Sequence, residues 1–135
     1  MLWIPGYRRK LLADRGRLGR WGEKHCEKFL KKNGYRFVAR NFGCKYGEID
    51  LVFMNMDRTS GGLVFVEVKT RRNERFRKAQ AAVGYKKRKR IGYTAKNFVQ
   101  RYKLTNKPQR FDVMAVILGD KGKPEVRHYI NAFVP

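Results

Sequence analysis

A chain of 135 residues and 16.0 kDa is too short for two ordinary domains, yet a domain of this size hides roughly two-thirds of its unfolded surface and requires no disulfide or metal staple. With 42% hydrophobic and 13% aromatic residues and only four prolines, wholesale disorder is excluded. Lys and Arg number 33 against 11 Asp and Glu, a net charge of +22, so the expected partner is a polyanion, of which nucleic acid is the commonest.

Residues 1–17 are polar, basic and punctuated by glycine, and read as a flexible basic arm; 18–135 is then the folded unit. The arm holds no apolar run of signal-peptide length and no window of the chain reaches membrane-span length, so a cytoplasmic protein with no membrane partner is expected. Cys26 and Cys44 have no ligand-type spacing. From Leu18 the pattern turns helical, with Leu18, Trp21, Cys26, Phe29 and Leu30 on one stripe and Asn33-Gly34 as the stop. A short strand over 35–41 follows, Phe37 and Ala39 on one face and Val38 on the other, with a break at Phe42-Gly43. The segment 48–54 alternates Ile49, Leu51 and Phe53 against Glu48, Asp50 and Val52. A turn over 57–62 leads to 63–69, apolar on both faces through Val68, as a central strand should be.

After a basic loop over 70–78, a second helix is predicted for 78–102, with Gln80, Gly84, Lys87, Ile91, Thr94, Ala95, Phe98 and Tyr102 inward. Tyr85, Tyr93 and Tyr102 are expected to pack, Tyr85 being equally suited to stacking. Pro108 stops the helix, 111–118 makes another buried strand, 119–123 turns, and 126–130 is a last short strand. The order predicts one α/β domain with a mixed central sheet flanked by helices.

The acids are few and oddly placed. Glu48, Asp50, Glu67 and Asp112 all fall inside predicted strands, where acids are depleted. Glu67 shares a strand face with Leu63 and Phe65, and a carboxylate there needs a cation, either a basic side chain or a metal. Lys69 projects from the same face, and Asp50, with sixteen residues between it and Glu67, can be brought beside it by a hairpin. Two carboxylates and a lysine suit metal-assisted phosphodiester hydrolysis. Mg²⁺ or Mn²⁺ on the carboxylates would polarise a phosphate oxygen and lower the pKa of a bound water, and the lysine would offset the growing charge. The blander reading of Glu67-x-Lys69 is a local ion pair. In the first helix Glu23 sits at the shoulder of the apolar stripe, where it could reach over the sheet edge and share a metal, the blander reading being an ordinary solvated helix acid, while Glu27 points further toward solvent. His25 and the isolated His128 read as packing, and Asp112 as a structural partner of an arginine such as Arg110.

These residues carry a resemblance. Gly47-Glu48-Ile49-Asp50-Leu51-Val52 followed by Phe65-Val66-Glu67-Val68-Lys69-Thr70-Arg71 resembles the YraN-like family of small bacterial proteins, assigned to the PD-(D/E)XK nuclease superfamily alongside archaeal Holliday-junction resolvases. Gly22-Glu23, Gly34-Tyr35, Arg40-Asn41, Ala82-Val83 with Lys87 and Ile91, and Arg110-Phe111-Asp112-Val113 match as well, so that the likeness covers roughly residues 19 to 118. It implies a restriction-endonuclease-like core, metal ligation by Asp50, Glu67 and the Val68 backbone carbonyl, and Lys69 as the catalytic lysine. Glu23 would be the helix acid that supports the metal, and Glu48 would lie just behind the ligands. Gln80 and Lys87 would face the sheet from the second helix, where many of these nucleases hold substrate or water. Ile49 stands where the superfamily has proline, and Gly84 with Tyr85 where some relatives carry tyrosine one turn after glutamine.

Basic residues cluster at Arg8-Arg9-Lys10, at Arg71 and Arg72, at Arg75 and Lys78, and at Lys86, Lys87, Lys89 and Arg90. The clusters after 69 are expected to hold phosphates, positioning the polymer without reading its sequence. Lys86, Lys89 and Arg90 are placed at longer range. The leading expectation is a metal-dependent endonuclease on structured or branched DNA, with RNA the other candidate polymer. The rivals are a non-catalytic nucleic-acid-binding module and a basic accessory of a ribonucleoprotein. Symmetric cutting of two strands would call for a homodimer, although no dimer surface is legible.

Overall fold

The computed structural model describes residues 14–57, 61–72, 83–119 and 122–135. The expected phosphate contacts Arg75, Lys78 and Gln80, the Arg8-Arg9-Lys10 cluster and the parts of the expected turns at 58–60 and 120–121 lie outside these described residues.

Asp14 fixes the start of the first helix. Its carboxylate accepts the Arg17 N–H at 3.0 Å, so helix α1 spans Arg15–Lys32 and begins ahead of the expected Leu18. Residues 15–17, read as the end of the arm, are its first turn. Asn33 caps the other end, and Gly34, at φ 88°, turns the chain out in the left-handed conformation that glycine allows. Strands β1 (Arg36–Cys44), β2 (Gly47–Asn55) and β3 (Gly62–Arg71) then form an antiparallel meander. Helix α2 (Tyr85–Arg101) crosses over to β4 (Gln109–Ile117), which pairs parallel to β3, and β5 (Glu125–Tyr129) adds the antiparallel last strand. The sheet order is β1-β2-β3-β4-β5. This is the expected mixed-sheet α/β domain.

Three local expectations fail for identifiable reasons. The strand over 35–41 runs on to Cys44, because Phe42 and Gly43 keep pairing with Ile49 and Glu48. A register shift between Phe37 and Ala39 inserts a bulge, so Phe37 packs on the α1 side and Ala39 on the α2 side instead of sharing a face. The described part of the second helix starts after Gly84, whose extended backbone (φ −77°, ψ 174°) makes it the N-cap and not an inward-facing helical position. Among the described residues no helix is long and apolar enough to cross a membrane.

One core lies on each face of the sheet. Trp21, Cys26 and Leu30 of α1 cover Leu51, Phe53, Val64, Val66 and Met114. Ile91, Ala95, Phe98 and Val99 of α2 cover Val52, Leu63, Phe65 and Val113. Because β3 feeds both, its apolar run from Leu63 to Val66 is explained. At one end Asp112, fully buried, accepts two bonds from the Arg110 guanidinium (2.9 and 2.8 Å) and one from the Asn131 N–H (2.8 Å), and lies 2.7 Å from His128 Nε2. Burial pushes this carboxyl up, but these bonds outweigh it and hold Asp112 below the usual range. The Arg110 pairing is as expected. His128 is not isolated, being a member of this network as well as an edge-on neighbour of Phe29 and Tyr35.

At the other end Gly22 lets α1 come down on β3. A Cβ there would stand 2.0 Å from Thr70 Oγ1, so the close approach depends on glycine. Gly22→Ala is expected to destabilise the fold by about 1–3 kcal/mol, and Thr70→Ala on that background should restore most of the loss. Urea unfolding of the single and double variants measures both.

Candidate functional site

The β2–β3 ladder runs from Asn55↔Gly62 to Leu51↔Val66. Beyond it the Val68 N–H is taken by a side chain, donating to Asp50 Oδ2 at 2.8 Å. On β3 alternation carries Leu63, Phe65, Glu67 and Lys69 to the α2 face, where the first two are core and Glu67 is only 6% exposed. The cation that Glu67 needs is supplied twice. Lys69 Nζ lies 3.3 Å and Lys87 Nζ 2.5 Å from Glu67 Oε1. The juxtaposition of Asp50, Glu67 and Lys69 expected from the hairpin is therefore present, and Lys87 joins it from the start of α2.

Asn41 links the remaining acids. In the orientation that satisfies both ends of its amide, it donates to Glu48 Oε1 at 3.2 Å and to Glu23 Oε1 at 3.1 Å. The pairing Arg40↔Leu51 and Phe42↔Ile49 puts Asn41 across from Asp50, and its φ of 51° is left-handed, which asparagine tolerates better than most residues. The alternation of β2 slips at the same level: Leu51 packs toward α1, whereas Ile49 and Val52 both pack toward α2. Glu23 thus reaches the cluster from the helix shoulder. Sequence reasoning missed Asn41 as a site member; its only signal is a polar, left-handed-tolerant residue inside a strand. It also misread Glu27, which is not solvated but holds Arg40 at 2.7 Å and Lys31 at 3.0 Å, tying α1 to β1. His25 packs edge-on against Trp21 as expected.

The electrostatics follow from the crowding. Burial and then the neighbouring Glu67 push the Asp50 carboxyl up to about 8, with Glu23 adding to the rise and the Val68 N–H opposing it. Burial and then Glu48 raise Glu23. Lys69 is lowered by burial and then by the adjacent Lys87, whereas in the more exposed Lys87 the contact with Glu67 outweighs desolvation and raises it. In a chain of +22, the crowding of acids at this one place disfavours the charged form of Asp50.

Two clefts flank this cluster. One, of about 380 Å³, is lined by Gly47, Glu48, Asp50, Glu67, Lys87, Arg90 and Ile91. The other, of about 310 Å³, lies between α1 and β1 and is lined by Glu23 and Asn41 together with Arg20, Lys24, Lys28, Lys31 and Arg40. Arg90 is nearer the acids than expected, because it lines the first cleft with Lys87. Lys86 and Lys89 are exposed on α2, Lys89 lying 5.4 Å over the Tyr85 ring. Arg71 ends β3 with Arg72 next to it, and their carbonyls accept the Leu118 and Gly119 N–H groups. Tyr85, Tyr93 and Tyr102 are all more than half exposed. Of the three only Tyr102 rests on the core, against Phe98 and Phe42.

As the side chains stand, no three His, Cys, Asp or Glu among the described residues form a group that could hold a metal ion. Mg²⁺ does not require such a cage, since it is commonly held by one or two carboxylates with water and substrate phosphate completing its shell. Asp50 and Glu67 are such a pair of oxygen donors, and the raised Asp50 is the mark of a place where added positive charge is favourable. The donor set fits a hard divalent cation.

Helix, three antiparallel strands, helix and a parallel fourth strand, with acids and lysines where the second and third strands part, define an α/β protein with a restriction-endonuclease-like core layout. Residues 22–116 match the uncharacterised protein family UPF0102, and the chain belongs to that family. It is 41% identical over 120 residues to a UPF0102 protein of Pelobacter propionicus, covering 89% of this chain and 84% of the relative. A UPF0102 protein of Geotalea uraniireducens is 40% identical over 90% of this chain and 92% of its own length. A third, from Syntrophomonas wolfei, is 42% identical over 86% and 96%.

An acid whose folded-state pKa lies above its unfolded value, about 4 for aspartate, weakens the fold as pH rises between the two. The Asp50 penalty should therefore grow from about pH 4 and be complete above about 8. Asp50→Asn keeps an acceptor for Val68 and removes the charge. It is expected to raise the melting temperature most above pH 8 and to flatten the decline toward alkaline pH, as thermal unfolding across that range will measure.

Proposed function

We propose that this protein is a divalent-metal-dependent endonuclease of the PD-(D/E)XK type, hydrolysing phosphodiester bonds in nucleic acid, with structured or branched DNA the favoured substrate. The observation that carries the reading is the placement of Asp50 and Glu67 in one cleft with Lys69 against Glu67, Asp50 being raised by burial and then by its acidic neighbours, in a chain whose other charges are overwhelmingly basic. Acids are scarce here, and four of them meet at the place where two strands part.

Asp50 and Glu67, with the Val68 carbonyl, would hold Mg²⁺ or Mn²⁺. The ion would supply Lewis-acid polarisation of a phosphate oxygen and acidify water. Lys69, half-buried and lowered below the ordinary lysine range, is suited to orient the attacking water and to offset charge developing on the phosphate. Lys87 neutralises Glu67 and, being the more exposed of the two lysines, is free to turn to a phosphate oxygen when substrate arrives. Glu23, Glu48 and Asn41 hold one another in place behind Asp50. Arg90, Lys86 and Lys89 on α2, and Arg71 and Arg72 after β3, would bind the backbone beside the cleft, with Arg75, Lys78 and Gln80 assigned to the same task from sequence alone.

A second reading is favoured by the two lysines on Glu67, which already neutralise it without metal. In that case the fold serves as a nucleic-acid-binding module and the acids are structural.

Cleavage of duplex, single-stranded, flap and four-way-junction DNA with Mg²⁺, Mn²⁺ or chelator decides between them. Metal-dependent cutting is expected, reduced about a hundredfold or more by Glu67→Gln or Lys69→Ala, with salt-sensitive binding in chelator retained. Tight binding without cutting by any of the proteins would establish the binding module instead.

A further inference from the structure

Beside the acidic cleft two large rings are left in solvent. Tyr46, in the turn between β1 and β2, is 43% exposed, and Tyr93, on α2, is 55% exposed. Their ring centroids are 5.3 Å apart with the planes tilted by 36°, so the pair forms one continuous aromatic surface. The surface stands on a rigid base. The turn lies in van der Waals contact with α2, a Cβ at Gly47 being 3.6 Å from Thr94 Oγ1 and 3.8 Å from Arg90 Cβ. Cys44 Sγ lies 3.8 Å from Thr94 Oγ1 and accepts the Tyr46 N–H at 3.4 Å. Nothing in the core needs these rings, since Phe98 and Ile91 already fill the inner side of α2.

The charges around them are mostly basic, the exposed Glu48 at the cleft edge being the exception. Lys45 lies 5.2 Å over the Tyr46 ring, and neither α2 nor the β1–β2 turn contains an aspartate or glutamate. Arg90 lines the acidic cleft and precedes Tyr93 by three residues, hence by less than one helical turn on the same face. A strand whose phosphates follow Lys87 and Arg90 out of the cleft meets the two tyrosines next. In a duplex the base faces are covered by their neighbours, so only an unpaired base can offer a π-face to them.

We propose that Tyr46 and Tyr93 form a stacking platform for unpaired nucleobases, so that the polymer this protein prefers carries a single-stranded segment running past the acidic cleft. The platform determines specificity and takes no part in the chemistry. It rests on the reading that the cleft handles nucleic acid, and it predicts a flap, overhang or fork as substrate in preference to uninterrupted duplex.

Binding in chelator tests it apart from catalysis. Fluorescence anisotropy compares a labelled oligothymidylate, an abasic oligomer with the same backbone, and a duplex of equal length. Wild type is expected to bind the oligothymidylate about tenfold more tightly than the abasic strand. The double variant Tyr46→Ala, Tyr93→Ala should lose about that factor on oligothymidylate alone, with abasic and duplex affinity, salt dependence and melting temperature unchanged. Tyr46→Phe with Tyr93→Phe should retain the preference. Equal wild-type affinity for thymidylate and abasic strands, or an alanine variant that loses nothing or loses equally on every probe, would overturn the platform alone. Failure of wild type to bind any of the three would overturn the nucleic-acid reading of the cleft as well.

Discussion

Asp50 accepts the Val68 N–H, and that one bond organises the business end of the molecule. A backbone donor inside a sheet must be satisfied, normally by the neighbouring strand. Here a carboxylate takes it, which lets β2 and β3 separate just where their apolar pairing ends at Leu51 and Val66. Glu67 and Asp50 line the cleft at this opening, where Asp50 is too buried to be comfortable as an anion. Its neighbours make this worse, since Glu67 and Glu23 both disfavour its charge. The domain therefore carries a local electrostatic debt of its own construction, which Lys69 and Lys87 cover in part.

The two helices share this work unequally. Lys87 and Arg90 bring positive charge to the cleft from α2, while α1 contributes Glu23 and, through Glu27 with Arg40 and Lys31, a clasp on β1 next to Asn41. Gly22 is the reason α1 can sit low enough for this, because the following residue is Glu23 and a side chain at 22 would meet Thr70. A packing requirement and a site requirement thus fall on adjacent residues.

Much of this was legible in the amino-acid pattern, and the limits are instructive. The apolar run 63–68 interrupted by Glu67 marks both the central strand and the buried acid, because few environments explain a carboxylate between Val66 and Val68. The stripe Trp21, Cys26, Leu30 places α1 and its shoulder acid for the same reason. What pattern could not supply was set by contacts distant in sequence. The bulge at Val38, the left-handed Asn41 and the slip in β2 reverse side-chain faces without any change in apolar content. Glu27 and His128 looked unengaged because their partners, Arg40 and Asp112, come from other elements. The exposure of Tyr93 was misjudged because tyrosine suits a core and a surface equally well.

The parallel pairing of β3 with β4 has a further consequence. Glu23, Asn41, Asp50, Glu67 and Lys87 come from five different elements among the described residues, and β3 cannot pair with β4 until α2 has crossed the sheet between them. Such non-local closure is a late event in folding. Lys87 can reach Glu67 only after that crossing, so the cleft is among the last parts of the domain to form.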